Sequence, residues 1–212
     1  MKWIDLISIV AEEPVFETGL LLAGDVDVAD VRRQLSRWVS AGRLLQLKRG
    51  LYTLAPPFER MRPHPFVVAN RLERGSYVSL QSALALHGAI PEYVPTTTSV
   101  SGRAPGERST PLGVYSFRHI APSLSWGARR VEVAPEQFAL VATAEKALLD
   151  LAHLTPRADE VGFLRELRLD ASAFDVESLR SMALRSGKPK LMRVADTVAA
   201  LFAEQAQEWV TL

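Results

Sequence analysis

The chain has 212 residues, 48% of them hydrophobic, enough for one large domain or two small ones with a real core. It contains no cysteine, which excludes disulfides, thiolate metal sites and cysteine nucleophiles. The formal net charge is +1, and the sequence shows neither a basic-then-apolar leader nor an apolar run long enough to span a bilayer, so a soluble, cytoplasmic protein without a membrane partner is expected.

Trp3, Ile4, Ile7 and Val10 recur at helical spacing and predict a first helix from Met1 to Ala11, stopped before Pro14. Phe16 to Ala23 reads as a second, short helix closed by Gly24. The informative stretch follows, from Asp27 to Leu54. At about 100° per residue, Val28, Val31, Leu35, Trp38 and Val39 fall on one stripe, and Arg33, Ser36, Arg37 and Ser40 fall opposite. Asp27 is a suitable N-cap, and Gly42 stands where a left-handed residue ends a helix. Leu44 to Leu47 and Leu51 to Leu54 then read as two short strands joined through Lys48-Arg49-Gly50. Gly50 supplies the positive φ of a tight turn, and Lys48 and Arg49 fall at its tip.

A helix with one packed and one basic face, followed at once by a basic hairpin, is the pattern of a winged helix-turn-helix. In that fold the second helix enters the major groove and the wing lies against the backbone or the minor groove. Arg33 and Arg37, at i and i+4, can reach bases or phosphates from one face. Local charge agrees: residues 28–54 carry six arginines and lysines against Asp30 alone, whereas residues 1–27 carry Lys2 against six carboxylates. A solvated helix face or a basic hairpin tip is ordinary taken singly; their adjacency points to duplex DNA. The candidate DNA-binding residues are Arg32, Arg33, Ser36, Arg37, Ser40, Arg43, Lys48 and Arg49. Asp30 either pairs with Arg33 or accepts from a cytosine amino group, and the sequence leaves both open.

Ala55-Pro56-Pro57, with Pro63 and Pro65, mark a linker at 55–64 between a DNA-binding domain (1–54) and a second domain (65–212). Phe66 to Leu72 is helical, and Ser79 caps a helix running to His87 that Gly88 ends. Thr96 to Ser101 and Val114 to His119 are β-rich, separated by a loop holding Arg103 and Arg108, and Val131 to Val133 and Phe138 to Ala142 add strands. Thr143 caps a helix in which Lys146 and Asp150 stand i, i+4. Val161 to Leu167 and Val176 to Leu184 are short helices. Leu191, Val194, Ala195, Val198, Leu201 and Phe202 form the stripe of a final one, expected to pack on the body. The fold class is therefore α+β, a winged helix-turn-helix followed by a mixed α/β domain with a helical tail.

Catalytic constellations are missing. Gly102 to Gly106 lacks the Lys-Ser/Thr ending of a P-loop, and the four histidines have no second ligand at i+3 or i+4. Gly75-Ser76 is not followed by the paired carboxylates of a nucleotidyltransferase, and there is no Gly-x-Ser-x-Gly elbow. His87 and His153, near helix C-termini, fit capping and dipole roles. No enzyme activity, metal or cofactor is expected.

The order of RLLQLKRGLYTL, a Pro-rich joint, GSYVSLQSALALHGAIPEYVP, a β-rich stretch and VATAEKALLDLAHL resembles the AbiEi family of antitoxins from type IV toxin-antitoxin and abortive-infection loci, across roughly residues 14–170. The resemblance implies two roles. An N-terminal winged helix represses its own operon at promoter inverted repeats, and a C-terminal domain counters a nucleotidyltransferase toxin. It also implies that Arg32, Arg33, Arg37, Lys48 and Arg49 occupy basic DNA-contacting positions. Inverted repeats could be met by a homodimer or by two monomers side by side. Ser79 to His87 and Ala144 to Asp150 read as core, so no antitoxic residue is assigned. A stand-alone regulator without a toxin, and a winged helix that binds protein, are the alternatives.

Overall fold

The structure, a computed structural model, describes residues 1–10, 12–22 and 26–210. Helix α1 (Trp3–Val10) buries Leu6 and Val10; the expected last residue of this helix, Ala11, lies outside the described residues. The expected second helix is not one. Phe16–Glu17 is a short strand, β1, and only Thr18–Leu21 coil, as a 3-10 turn. Phe16 is buried and stacks on Tyr52 with ring centroids 5.9 Å apart, a contact that needs the extended strand, and Gly19 gives the competing helix little support. Ala23 and Gly24, the expected end of that helix, lie outside the described residues.

Helix α2 (Val28–Ser40) leads through Gly42 (φ +66°) into strands β2 (Leu44–Lys48) and β3 (Leu51–Leu54), which turn at Gly50 (φ +80°). Val31, Leu35 and Trp38 are buried, but Val28, expected on the same stripe, is 40% exposed, because it opens the helix a turn before the packed part begins. The three strands form one antiparallel sheet in the order β1-β3-β2, with Phe16 opposite Tyr52.

The body begins with α3 (Pro65–Leu72), β4 (Tyr77–Val78) and α4 (Leu80–Leu86). Strands β5 (Thr97–Ser101), β6 (Gly106–Thr110), β7 (Gly113–His119), β8 (Ala128–Ala134) and β9 (Gln137–Ala142) follow. With β4 they make a six-stranded mixed sheet ordered β6-β7-β5-β4-β9-β8, parallel at β4/β9 and β5/β7. The expected loop holding Arg108 is in fact strand β6, a polar edge strand exposed along its middle, so no apolar alternation announces it. Helices α5 (Ala144–Leu154), α6 (Val161–Glu166), α7 (Val176–Ser186) and α8 (Pro189–Val210) complete the chain. α5 is buried from Ala144 to Ala152, and the α8 stripe packs on the body, Phe202 meeting Phe174 at 5.5 Å.

The N-terminal unit has its own small core around Leu6, Leu35 and Trp38, but Val15, Leu47 and Leu51 belong to the core of the body. The 55–64 stretch is held at both ends. Ala55 N donates to Arg43 O (3.0 Å), and Gln137 accepts from His64 N (2.7 Å) while donating to Arg62 O (3.0 Å).

His64 caps α3, its Nδ1 accepting from Phe66 N at 3.2 Å. Burial holds its pKa below the usual histidine value. The folded state therefore binds this proton less readily than the unfolded chain. The stability it contributes is present above the unfolded value, near 6.5, and is lost as pH falls through the lowered one. Urea denaturation is expected to show wild type losing more stability than His64→Ser, which keeps a cap that does not titrate, as pH falls from about 7 to about 5. Identical pH dependence in the two proteins would remove His64 from the explanation.

Candidate nucleic-acid interface

The exposed face of α2 is fixed by its two ends. Asp27 accepts from Ala29 N (2.6 Å) and Asp30 N (3.4 Å), which orients the first turn, and the buried Trp38 anchors the last. Going round the helix at about 100° per residue, the outward side chains run in the order Arg32, Ser36, Ser40, Arg33, Arg37. All five are exposed, as are Arg43 and Arg49.

The arginines divide between two hollows. Arg32 meets Arg49 of the hairpin tip across one of about 420 Å³, completed by Thr18, Gly50 and Tyr52. Arg33 and Arg37 line another of about 440 Å³, at the start of α2 beside Asp27, Asp30 and Gln34. Of the two roles open to Asp30, the structure realises the ion pair with Arg33. Helix and hairpin thus share one hollow lined by guanidinium groups, with Arg33 and Arg37 lining a second, and planar guanidinium forks suit phosphate oxygens and guanine edges.

Two of the expected contacts are placed differently. The Lys48 ammonium donates to Leu72 O at the end of α3 (2.5 Å), and burial lowers its pKa below the usual lysine range, so it tethers hairpin to body instead of standing free at the tip. The Arg43 guanidinium stacks 5.3 Å over the Trp3 ring, on the α1 side of the unit. Thr18 and Tyr52 enter the first hollow from β1 and β3. Neither has a local signal in the sequence, because the pairing of β1 with β3 that brings them there joins segments more than thirty residues apart.

In the body, the segments that read as core in the sequence hold a sealed polar cluster. Lys146 is ion-paired with Asp150 and donates to Tyr77 Oη (3.0 Å). Asp150 also accepts from Tyr77 Oη (3.0 Å) and Ser79 Oγ (2.8 Å). Ser79, expected to cap α4, makes no cap bond; its hydroxyl goes to Asp150. The Lys146 and Asp150 side chains are each 2% exposed, so the cluster is closed off within the packed core of the body.

Among the described residues there is no group of three or more histidines or carboxylates that could hold a metal ion. His87 Nε2 lies 2.8 Å from Ala142 O and His119 Nδ1 lies 3.1 Å from Arg103 O, so each of these two histidines is used where it stands. No described helix is long and apolar enough to cross a membrane.

These elements define a mixed α/β protein in which a small helix-and-hairpin unit is set on a six-stranded sheet layered with helices. The chain is similar in fold to the crystal structure of the RV2827C protein from Mycobacterium tuberculosis, at 20% identity and a TM-score of 0.52, over 91% of this chain and 75% of that one. No family model matches the chain, and no curated protein matches it.

Proposed function

We propose that residues 1–54 form a winged helix-turn-helix and that the chain is a DNA-binding autorepressor of the AbiEi antitoxin type. The 3-10 turn and α2 act as the helix-turn-helix, β2 and β3 as the wing. The observation that carries this reading is the approach of Arg32 on the helix and Arg49 on the hairpin tip across one hollow, beside the exposed Arg33 and Arg37. A polyanion laid along both elements would use all four. Arg33 and Arg37 read base edges, Arg32 and Arg49 hold phosphates, and Ser36 and Ser40 lie between them on the same face. Lys48, tied to Leu72 O, and Arg43, stacked on Trp3, hold the unit together and are not assigned a phosphate. The antitoxic half of the proposal, a body that counters a nucleotidyltransferase toxin, rests on the resemblance of residues 14–170 to that family.

The test is fluorescence anisotropy with a labelled fragment of the chain's own upstream promoter against a scrambled fragment, at several salt concentrations. Arg33→Ala and Arg37→Ala are each expected to cost about 1–3 kcal/mol on the promoter and to change sequence preference. Arg49→Ala is expected to weaken both fragments alike and to flatten the salt slope by about the amount that one phosphate supplies. Equal losses on both fragments for all three variants would defeat base reading. Weak binding that none of the changes alters would move the unit to the protein-binding class.

A further inference from the structure

The helix-and-hairpin unit does not stand clear of the body on the side of the hairpin tip. Lys48 donates to Leu72 O, and the next residue, Glu73, holds two arginines: Arg103 of the β5–β6 loop at 3.0 Å and Arg108 of the edge strand β6 at 4.0 Å. Arg74 pairs with Glu17 of β1. Glu17 in turn precedes Thr18, whose amide donates to Gly50 O at the hairpin tip (3.0 Å). From the hollow between Arg32 and Arg49, basic groups therefore continue over the tip and onto the body.

The ion pairs leave these arginines available. The side chains of Arg74, Arg103 and Arg108 are 72%, 70% and 47% exposed, whereas that of Glu73 is 12% exposed, behind the arginines it holds. A guanidinium has five N–H donors in a fixed fork, and a carboxylate on one edge leaves others free for phosphate.

We propose that the nucleic-acid track runs past the hairpin tip onto the body, where Arg74, Arg103 and Arg108 bind the phosphate backbone of duplex beyond the segment met by α2. This rests on the DNA-binding reading and extends it from one unit of the chain to both. Phosphate contacts of this kind position and strengthen binding without reading sequence. They lengthen the footprint in one direction from the wing.

The experiment compares the salt dependence of binding on two duplexes, one of about one helical turn and one of about three turns centred on the same site. The longer duplex is expected to show the steeper slope. Arg74→Ala/Arg103→Ala/Arg108→Ala should flatten that slope by about 0.9 for each phosphate no longer neutralised and leave the short duplex unchanged. Glu73→Gln, which removes the carboxylate competing for two of the arginines, should tighten the long duplex alone. Thermal melts matching wild type keep a folding defect from imitating either result. Equal slopes on the two duplexes, or a triple variant that leaves the long-duplex slope intact, overturns the extension while the DNA-binding reading stands. Failure of the wild-type protein to bind either duplex overturns both.

Discussion

Asp150→Ala is expected to destabilise the protein by about 3–5 kcal/mol, the usual cost of removing one partner of a buried ion pair. The substitution leaves the Lys146 ammonium 2% exposed with the Tyr77 hydroxyl and the ring faces of Trp126 (5.0 Å) and Tyr77 (5.5 Å) as its remaining partners. It also orphans the hydroxyl protons of Tyr77 and Ser79, which now go to the carboxylate. Burial presses the Lys146 pKa down and the Asp150 pKa up, so each charge depends on the other to persist. Gly127 fits the same arrangement. At φ +79° it lies so close to Lys146 that a Cβ there would come within 3.0 Å of the lysine chain. The double change Lys146→Met/Asp150→Leu removes both charges and is expected to recover much of the loss. Urea denaturation of the three proteins decides it. A single variant within about 1 kcal/mol of wild type would mean that water or a rearranged neighbour already satisfies the lysine.

This cluster also shows where the sequence stops being readable. The i, i+4 spacing of Lys146 and Asp150 is plain in the sequence, but the same spacing marks countless exposed helix pairs. What makes this one a core feature is a pair of hydroxyls about seventy residues upstream, Tyr77 and Ser79, brought in by a two-residue strand too short to leave a pattern. Ser79 is legible as a helix cap because a cap is local. The tertiary carboxylate takes its hydroxyl instead, and Leu80 enters the left-handed region at φ +58° as the chain turns into α4.

The candidate interface is more legible, for the opposite reason. The Asp27 cap, the stripe of α2, the left-handed Gly42 and the Gly50 turn are each set by residues within a few positions of one another, and each appears where the sequence places it, Val28 apart. Differences arise where a distant segment decides the outcome. Phe16 is in a strand because Tyr52 is there to pair with it, and Lys48 leaves the hairpin tip because the end of α3 offers a carbonyl. The boundary at 55–64 follows the prolines, yet Leu47 and Leu51, hairpin residues by sequence, help close the core of the body.

Trp38→Ala is expected to cost about 3–5 kcal/mol, as truncation of a large buried aromatic side chain does. Trp38 is 5% exposed and meets the edge of Trp3 at 5.2 Å, and Trp3 meets Phe58 at 5.2 Å and carries the Arg43 guanidinium above it. The side chain therefore joins α2 to α1 and to the start of the 55–64 stretch, and the cavity left behind opens at the junction of all three. Trp38→Phe, which keeps an aromatic ring in the space, should lose markedly less. The contrast with Arg37→Ala gives the prediction its functional content. The two positions are adjacent on the same helix, but Arg37 is exposed and Trp38 is not. Arg37→Ala should weaken promoter binding while the thermal melt stays at the wild-type temperature. Trp38→Ala should lower the melt and weaken binding together, with binding recovering on cooling toward the temperature where the variant is fully folded. A wild-type melt for Trp38→Ala would put the indole outside the core. The packing that fixes the outward face of α2, and with it the assignment of Arg33 and Arg37 to the groove, would then have to be redrawn.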